Sequence, residues 1–417
     1  MRLAVIGAGS TYTPELVDGL VRLQELLPVE ELALHDRDEE RLNVLAALTR
    51  RMLDKGHHPS RLSATTRLDE AVSDADAVII QLRVGGQAAR IVDESLPLAC
   101  GCVGQETTGF GGLAMALRTV PVVLEIADRV REHAPPAWIV DFTNPVGIVT
   151  RALLDAGHRA VGLCSAAVVF QRHFARLLDV APERIELDHV GLNHLTWELA
   201  VRVDGTDALP QLLAERADEI APATGLPADL VRGLGVVPSY YLHYFYDHDH
   251  VVEDQRRTGT RAEEVAEIER ELLDLYAEET LDEKPELLGR RGGAFYSEAA
   301  VELLAGLFGR GADRHVVNLR NDGTLDFLPA DAVVEVPARV GSGKVVSVDV
   351  PRLGPLERGL VAHVSAYEEL AVDAALRGGR ERVFRALLAH PLVGQAELAD
   401  TLADRMIEAN KSFLSWA

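Results

Sequence analysis

The feature that most restricts the fold lies in the first 36 residues. An apolar run, Leu3–Ile6, enters Gly7-Ala8-Gly9-Ser10-Thr11-Tyr12, a helix with Pro14 near its first turn follows, and a second apolar run, Leu32–His35, ends at Asp36. A short buried strand, a glycine turn and a helix returning to another strand form a βαβ unit, whose strands lie parallel and are covered on both faces. The alternation continues through Ala77–Leu82, Trp138–Phe142 and Ala160–Leu163, each bounded by turn residues and separated by helical patterns. Up to about Cys164 the chain reads as a doubly wound parallel sheet. After Gly191 the pattern turns mostly helical, with an amphipathic stretch at Arg261–Glu279, and an extended β-branched segment follows at Ala332–Val350 behind the turn signal Asn321-Asp322-Gly323.

The Gly-x-Gly turn between strand and helix lets backbone N–H groups approach a pyrophosphate at a helix N-terminus. Tyr12 stands where the third glycine of the dinucleotide fingerprint would be, so Gly7, Gly9, Ser10 and Thr11 are the expected cofactor contacts. Asp36, at the end of the second strand, suits a ribose diol and repels a 2′-phosphate, which favours NAD over NADP. Arg37 beside it keeps NADP open, and a tight turn with no ligand uses the same residues. The expected organisation is an NAD-binding Rossmann-like domain over residues 1–165 and an interleaved, mixed α+β substrate-binding, metal-binding and oligomerisation domain over residues 166–417.

Composition excludes several function classes. The 417 residues carry a formal charge of −23, which argues against nucleic acid or an anionic membrane surface as partner. No uninterrupted apolar run approaches the roughly 20 residues of a membrane span, and the stretch after Met1 is too short for a signal peptide, so a cytoplasmic protein is expected. Cys100, Cys102 and Cys164 are too few for a disulfide framework.

In such a sheet the strand ends deliver side chains to the ligand crevice. They present Arg83, Asn144 before Pro145, Cys164 before Ser165, and later Asn193-His194. Cys164 and His194 together make a sparse two-ligand metal site with open positions for substrate oxygens, although each alone also fits a packed core. Cys100-Gly101-Cys102 lacks a second ligand pair, and His248-Asp249-His250 reads as a solvated loop.

These motifs resemble the family 4 glycoside hydrolases, in the branch of the 6-phospho-β-glucosidases. The resemblance runs through Gly7–Leu16, Gly104-Gln105-Glu106-Thr107-Thr108-Gly109, Phe142-Thr143-Asn144-Pro145, Gly162-Leu163-Cys164 and Gly191-Leu192-Asn193-His194. It continues through Tyr241-Leu242, Arg261-Ala262, Arg291-Gly292-Gly293 and Asn318-Leu319-Arg320-Asn321, nearly the whole chain in consistent order. This NAD-dependent family is an exception to the two-carboxylate rule for glycosidases. The resemblance implies oxidation at C3 of the sugar, loss of the C2 proton, elimination of the aglycone, addition of water and re-reduction. It implies a divalent metal, Mn2+, on Cys164 and His194, Tyr241 as the base, and Arg83, Asn144 and Arg261 as substrate ligands, Arg261 taking the 6-phosphate.

Two residues depart from the family pattern. Ser165 stands where the β-acting enzymes carry asparagine and the α-acting ones an aspartate acid, and His243 where a cationic side chain is usual. A homodimer or homotetramer is implied. Two other readings stay open: a 2-hydroxy acid dehydrogenase of the lactate/malate type, suggested by Asn144-Pro145-Val146 on the same superfold, and a catalytically silent NAD sensor. Phospho-α-glucosides and uronides are the alternative substrates within the family.

Overall fold

A computed structural model describes all residues except Gly293, Ala294 and Ser342, so Gly293 of the Arg291-Gly292-Gly293 motif lies outside the described residues. The strands are β1 (Arg2–Ile6), β2 (Glu31–His35), β3 (Arg61–Thr65), β4 (Ala77–Ile80), β5 (Trp138–Asp141), β6 (Ala160–Gly162), β7 (Ile185–Leu192), β8 (Leu195–Val203), β9 (Thr206–Asp207), β10 (Val237–Pro238), β11 (Arg314–Arg320), β12 (Val333–Gly341) and β13 (Lys344–Ser347). All belong to one sheet, ordered β10-β8-β7-β12-β11-β6-β5-β4-β1-β2-β3, with β13 added to β12 and β9 to β8. From β3 to β6 every pairing is parallel, in the order 3-2-1-4-5-6 of a dinucleotide-binding sheet. Beyond β6 the pairings are antiparallel. The sheet therefore crosses residue 165 without a break, because β11 from the second half closes onto β6.

Leu3–Ile6, Ala77–Ile80 and Trp138–Val140 are buried, which is why these runs are apolar instead of alternating; Asp141, also buried, ends the third. β3, Arg-Leu-Ser-Ala-Thr, has no apolar signature, and periodicity overlooks it. It is the exposed edge of the parallel half, where a strand needs partners on one side only. The helix Glu39–Lys55 starts on an Asp38 cap whose carboxylate accepts the Arg41 amide at 3.0 Å, and Glu39 and Glu40 sit in its first turn.

The helix Gly109–His133 corrects the expectation drawn from uninterrupted apolar runs. By length and composition it is long and apolar enough to cross a membrane, yet 78% of its most apolar window is buried within the protein. It is a central core helix, with Phe110, Leu113, Leu117 and Val120 fully enclosed. The amphipathic stretch forms the helix Arg261–Ala277, and the β-branched segment forms β12 and β13. His248-Asp249-His250 is the start of the helix His248–Thr258 and not a loop, because the periodic Val251, Val252 and Gln255 behind it carry the helix back to its charged N-terminus.

Candidate active site

The site begins at the glycine turn. Gly7 has φ +88° and an added Cβ would lie 2.7 Å from the Gln81 carbonyl oxygen, so only glycine fits. At Gly9 a Cβ would lie 2.8 Å from the Asp36 carboxylate, which accepts the Gly9 amide at 2.8 Å and the Asp38 amide at 3.0 Å. Asp36 thus shapes the turn as well as standing where a ribose would sit. The Ser10 hydroxyl accepts the Tyr12 amide at 3.2 Å, and the buried Thr11 hydroxyl has no partner within the protein. An under-satisfied hydroxyl and a glycine cradle at the start of the helix Thr13–Arg22 fit a bound pyrophosphate. From the second half, Tyr276 donates its hydroxyl proton to the Thr11 carbonyl oxygen at 2.9 Å, and Glu269 draws together Arg41, Gln87 and Arg291 across the same turn.

Arg83, Asn144 and Cys164 follow the ends of β4, β5 and β6 by two or three residues. Asn144 Oδ1 is buried without a partner. Cys164 precedes the helix Ala166–Leu178, for which Ser165 is the N-terminal flanking residue and makes no side-chain cap. Burial, and then the nearby Glu335 carboxylate, push the Cys164 thiol well above its ordinary range, while the Ala166 and Ser165 amides and the Asn193 side chain pull the other way. His194 sits at the two-residue turn between β7 and β8 with φ +60°, a left-handed conformation uncommon for a residue with a side chain. Its Nδ1 lies 2.8 Å from the Thr107 hydroxyl, whose single proton is directed to Gln105 Oε1 at 2.9 Å. Nδ1 is therefore the donor, and Nε2 keeps its lone pair for a metal. Burial lowers the His194 pKa to about 4, so the imidazole is neutral at pH 7.

Tyr241 lies in the short 3-10 turn Tyr240–Leu242, its ring stacked on His194 at 3.6 Å and 11°. Burial, and then Cys164, push its phenol well above the ordinary range. Among the described residues no group of three or more His, Cys, Asp or Glu side chains gathers to hold a metal ion. Cys164 and His194 fit a metal as a two-residue donor set completed by other oxygens.

Arg83 pairs with Glu106, and the buried Arg90 also reaches Glu106 at 3.3 Å through Nε, which donates to Glu94 at 2.8 Å. Burial alone would raise the Glu106 carboxyl, but the guanidinium groups of Arg83 and Arg90 outweigh it and hold it at about 2. Arg90 escapes sequence reading because it stands in an ordinary i, i+4 pair with Glu94 on the helix Gly86–Ala99. Only its burial against the crevice marks it. Glu94 in turn accepts the Ala262 amide at 2.8 Å, which docks the start of the helix Arg261–Ala277.

Arg261 itself is 43% exposed, paired with Glu264 and donating to the Arg290 carbonyl oxygen at 2.5 Å. It stands at the outer end of this charged ladder, not inside it. His243 is buried, with Nδ1 hydrogen-bonded to the Tyr240 carbonyl oxygen, so it offers no free cation. Cys100 and Cys102 are free thiols at the end of the helix Gly86–Ala99, Cys102 buried and Cys100 beside Arg405.

The chain matches two family models, "Family 4 glycosyl hydrolase" over residues 2–180 and "Family 4 glycosyl hydrolase C-terminal domain" over residues 189–393. It belongs to the family 4 glycosyl hydrolases. It is 35% identical to the 6-phospho-β-glucosidase of Escherichia coli (strain K12), an alignment covering 99% of this chain and 96% of that protein. The 6-phospho-β-glucosidase of Thermotoga maritima, solved with manganese, NAD+ and glucose-6-phosphate, superposes with a TM-score of 0.93 at 35% identity, covering 99% of both chains. A lactate dehydrogenase from Cryptosporidium parvum shares the fold alone, with a TM-score of 0.59 at 14% identity over 91% of this chain and 98% of that one.

Proposed function

We propose that this chain hydrolyses 6-phospho-β-glucosides with NAD and a divalent metal, Mn2+ being the ion held by the Thermotoga relative. The observation that carries the reading is the meeting of Cys164, His194 and Tyr241 at the strand ends beside the Gly7–Tyr12 turn. When bound, NAD supplies a reversible hydride acceptor for the sugar C3 and the metal supplies Lewis-acid polarisation of the neighbouring oxygens. Gly7, Gly9, Ser10, Thr11 and Asp36 would hold the cofactor, and Cys164 and His194 the metal.

The remaining work falls to the chain's own groups. Tyr241 takes the C2 proton. Its phenol, raised by burial, becomes a base at neutral pH only where cationic charge offsets that burial. Arg90 and Arg83 hold the anionic part of the substrate through charge-assisted hydrogen bonds, with Arg261 closing over it from the rim. Asn144 satisfies its orphan oxygen on a sugar hydroxyl. Ser165 has no acidic proton to give at neutral pH, so departure of the aglycone relies on water or on a good leaving group. The enzyme works in the cytoplasm as a homodimer or homotetramer.

The decisive experiment incubates the purified protein with NAD, Mn2+ and 4-nitrophenyl glucosides of both anomers, with and without a 6-phosphate. Release of nitrophenol from the phosphorylated β-anomer, lost on chelation and regained with Mn2+, is the expected result. Net formation of NADH from a 2-hydroxy acid would replace this reading with the dehydrogenase one.

A further inference from the structure

Behind Cys164 and the His194 turn lies a buried polar cluster that the proposed chemistry leaves unused. His189 on β7 is bracketed by two carboxylates, Nδ1 standing 2.6 Å from Glu198 Oε1 on β8 and Nε2 3.0 Å from Glu335 Oε1 on β12. None of the three side chains is more than 1% exposed. The other oxygen of Glu335 accepts two further hydrogen bonds of 2.8 Å, from the Asn193 and Asn318 side-chain amides.

The sheet register explains why these residues meet. Glu335 lies opposite Gly191, two residues before Asn193, and Asn318 lies opposite both Glu335 and Gly162, the latter two residues before Cys164. A Cβ on Gly162 would come within 2.9 Å of the Asn318 Cβ, so the glycine makes room for the cluster. An apolar side chain would fill the Glu335 position at no desolvation cost, whereas a buried carboxylate persists only with its acceptors satisfied. Here one of its donors, Asn193, adjoins the metal-ligand candidate His194 in the turn between β7 and β8.

We propose that Glu335 is a positioning residue of the metal site: by holding Asn193 it fixes the two-residue turn that presents His194. This rests on Cys164 and His194 being the metal ligands. It assigns the carboxylate that the sparse donor set lacks to a place one residue behind the ligands.

The test titrates metal-free enzyme with Mn2+, following the free ion by electron paramagnetic resonance, with the NAD dissociation constant and melting temperature measured on the same samples. Glu335→Gln and Asn193→Ala are expected to weaken Mn2+ binding about 10–100-fold while NAD affinity holds, the usual effect of losing an outer partner of a metal ligand. Asn318→Ala loses a bond to the same Glu335 oxygen but lies on β11, outside the His194 turn, so its melting temperature should fall while its Mn2+ affinity stays close to wild type. Unchanged Mn2+ affinity in Glu335→Gln or Asn193→Ala overturns the inference, as does a loss in all three variants that merely tracks melting temperature. If Glu335→Gln fails to fold, Asn193→Ala, at a half-buried turn, decides alone. Failure of the wild type to bind Mn2+, or wild-type binding by Cys164→Ser, would overturn the metal reading and this inference with it.

Discussion

The imidazole of His194 and the thiol of Cys164, the proposed metal ligands, come from the β7–β8 turn and from the residues just after β6. Replacing His194 with Ala or Cys164 with Ser should weaken Mn2+ binding by about 100-fold or more, beyond the loss typical of an outer partner. NAD binding, measured by fluorescence titration, should persist; its loss in both variants would mean that the residues serve the fold and not the metal. Tyr241→Phe should slow turnover by roughly 10²–10⁴, the usual share of a general base. Products formed by the wild type in D2O should carry deuterium at C2, and complete retention of protium there would argue for direct displacement. The arginines separate by burial. Arg90→Ala leaves Glu94 enclosed without its cation and Glu106 with Arg83 alone, a loss of about 2–5 kcal/mol that should appear in both melting temperature and turnover. Arg261→Ala breaks an exposed ion pair worth about 0–1 kcal/mol, so the melting temperature should hold while KM rises for the phosphorylated substrate alone. An unchanged KM would remove Arg261 from the substrate site.

Among the elements, the glycine turn and the β7–β8 turn both carry backbone constraints. Gly7→Ala asks for φ +88° with a Cβ against the Gln81 carbonyl oxygen. Backbone cannot yield there as a flexible side chain would, so NAD affinity should fall at least tenfold, about 1.4 kcal/mol, and isothermal titration would read it. Affinity equal to wild type would show that the turn does not cradle the cofactor. The helix Arg261–Ala277 links two sites at its two ends: Ala262 docks on Glu94 beside Arg90, and Tyr276 bonds the Thr11 carbonyl oxygen in the turn. A single helix therefore braces both Glu94 and the Gly7–Tyr12 turn.

At the scale of the whole molecule, three buried groups give stability the same dependence on pH. Burial first opposes a charge on His189, but Glu198 and Glu335 outweigh it and raise its pKa from 6.5 to about 10. Burial raises Asp141 from 3.8 to about 8 and Glu368 from 4.5 to about 8, the latter against the opposing charge of Arg151. In each case the folded state holds a proton that the unfolded state releases, for His189 between pH 6.5 and about 10 and for the two carboxyls up to about pH 8. Stability therefore falls as pH rises, and the slopes of all three add between pH 6.5 and 8. Melting temperatures of the metal-free protein should decline from pH 6.5 to 10, and Glu368→Gln should flatten the part below pH 8. A melting temperature that rises over this range would contradict the assignment.

What the sequence determined by itself was local or pairwise in origin. Apolar runs, glycine turns and helical periodicity are short-range signals, so the parallel sheet, the glycine turn and the helix at Arg261 were legible in it, and it offered Cys164 and His194 as the candidate metal ligands. Even the Arg261–Glu264 pair follows from helical spacing. The tertiary structure decided what depends on burial and on contacts distant in sequence. β3 is an edge strand with no apolar signature, and the apolar helix Gly109–His133 is a core helix because the rest of the protein surrounds it. The closure of β11 onto β6 likewise joins residues more than 150 positions apart. Arg90 and Glu335 are ordinary charged residues in the chain. They become candidate site residues because folding removes water from around them, and a charge without water must be answered by a partner.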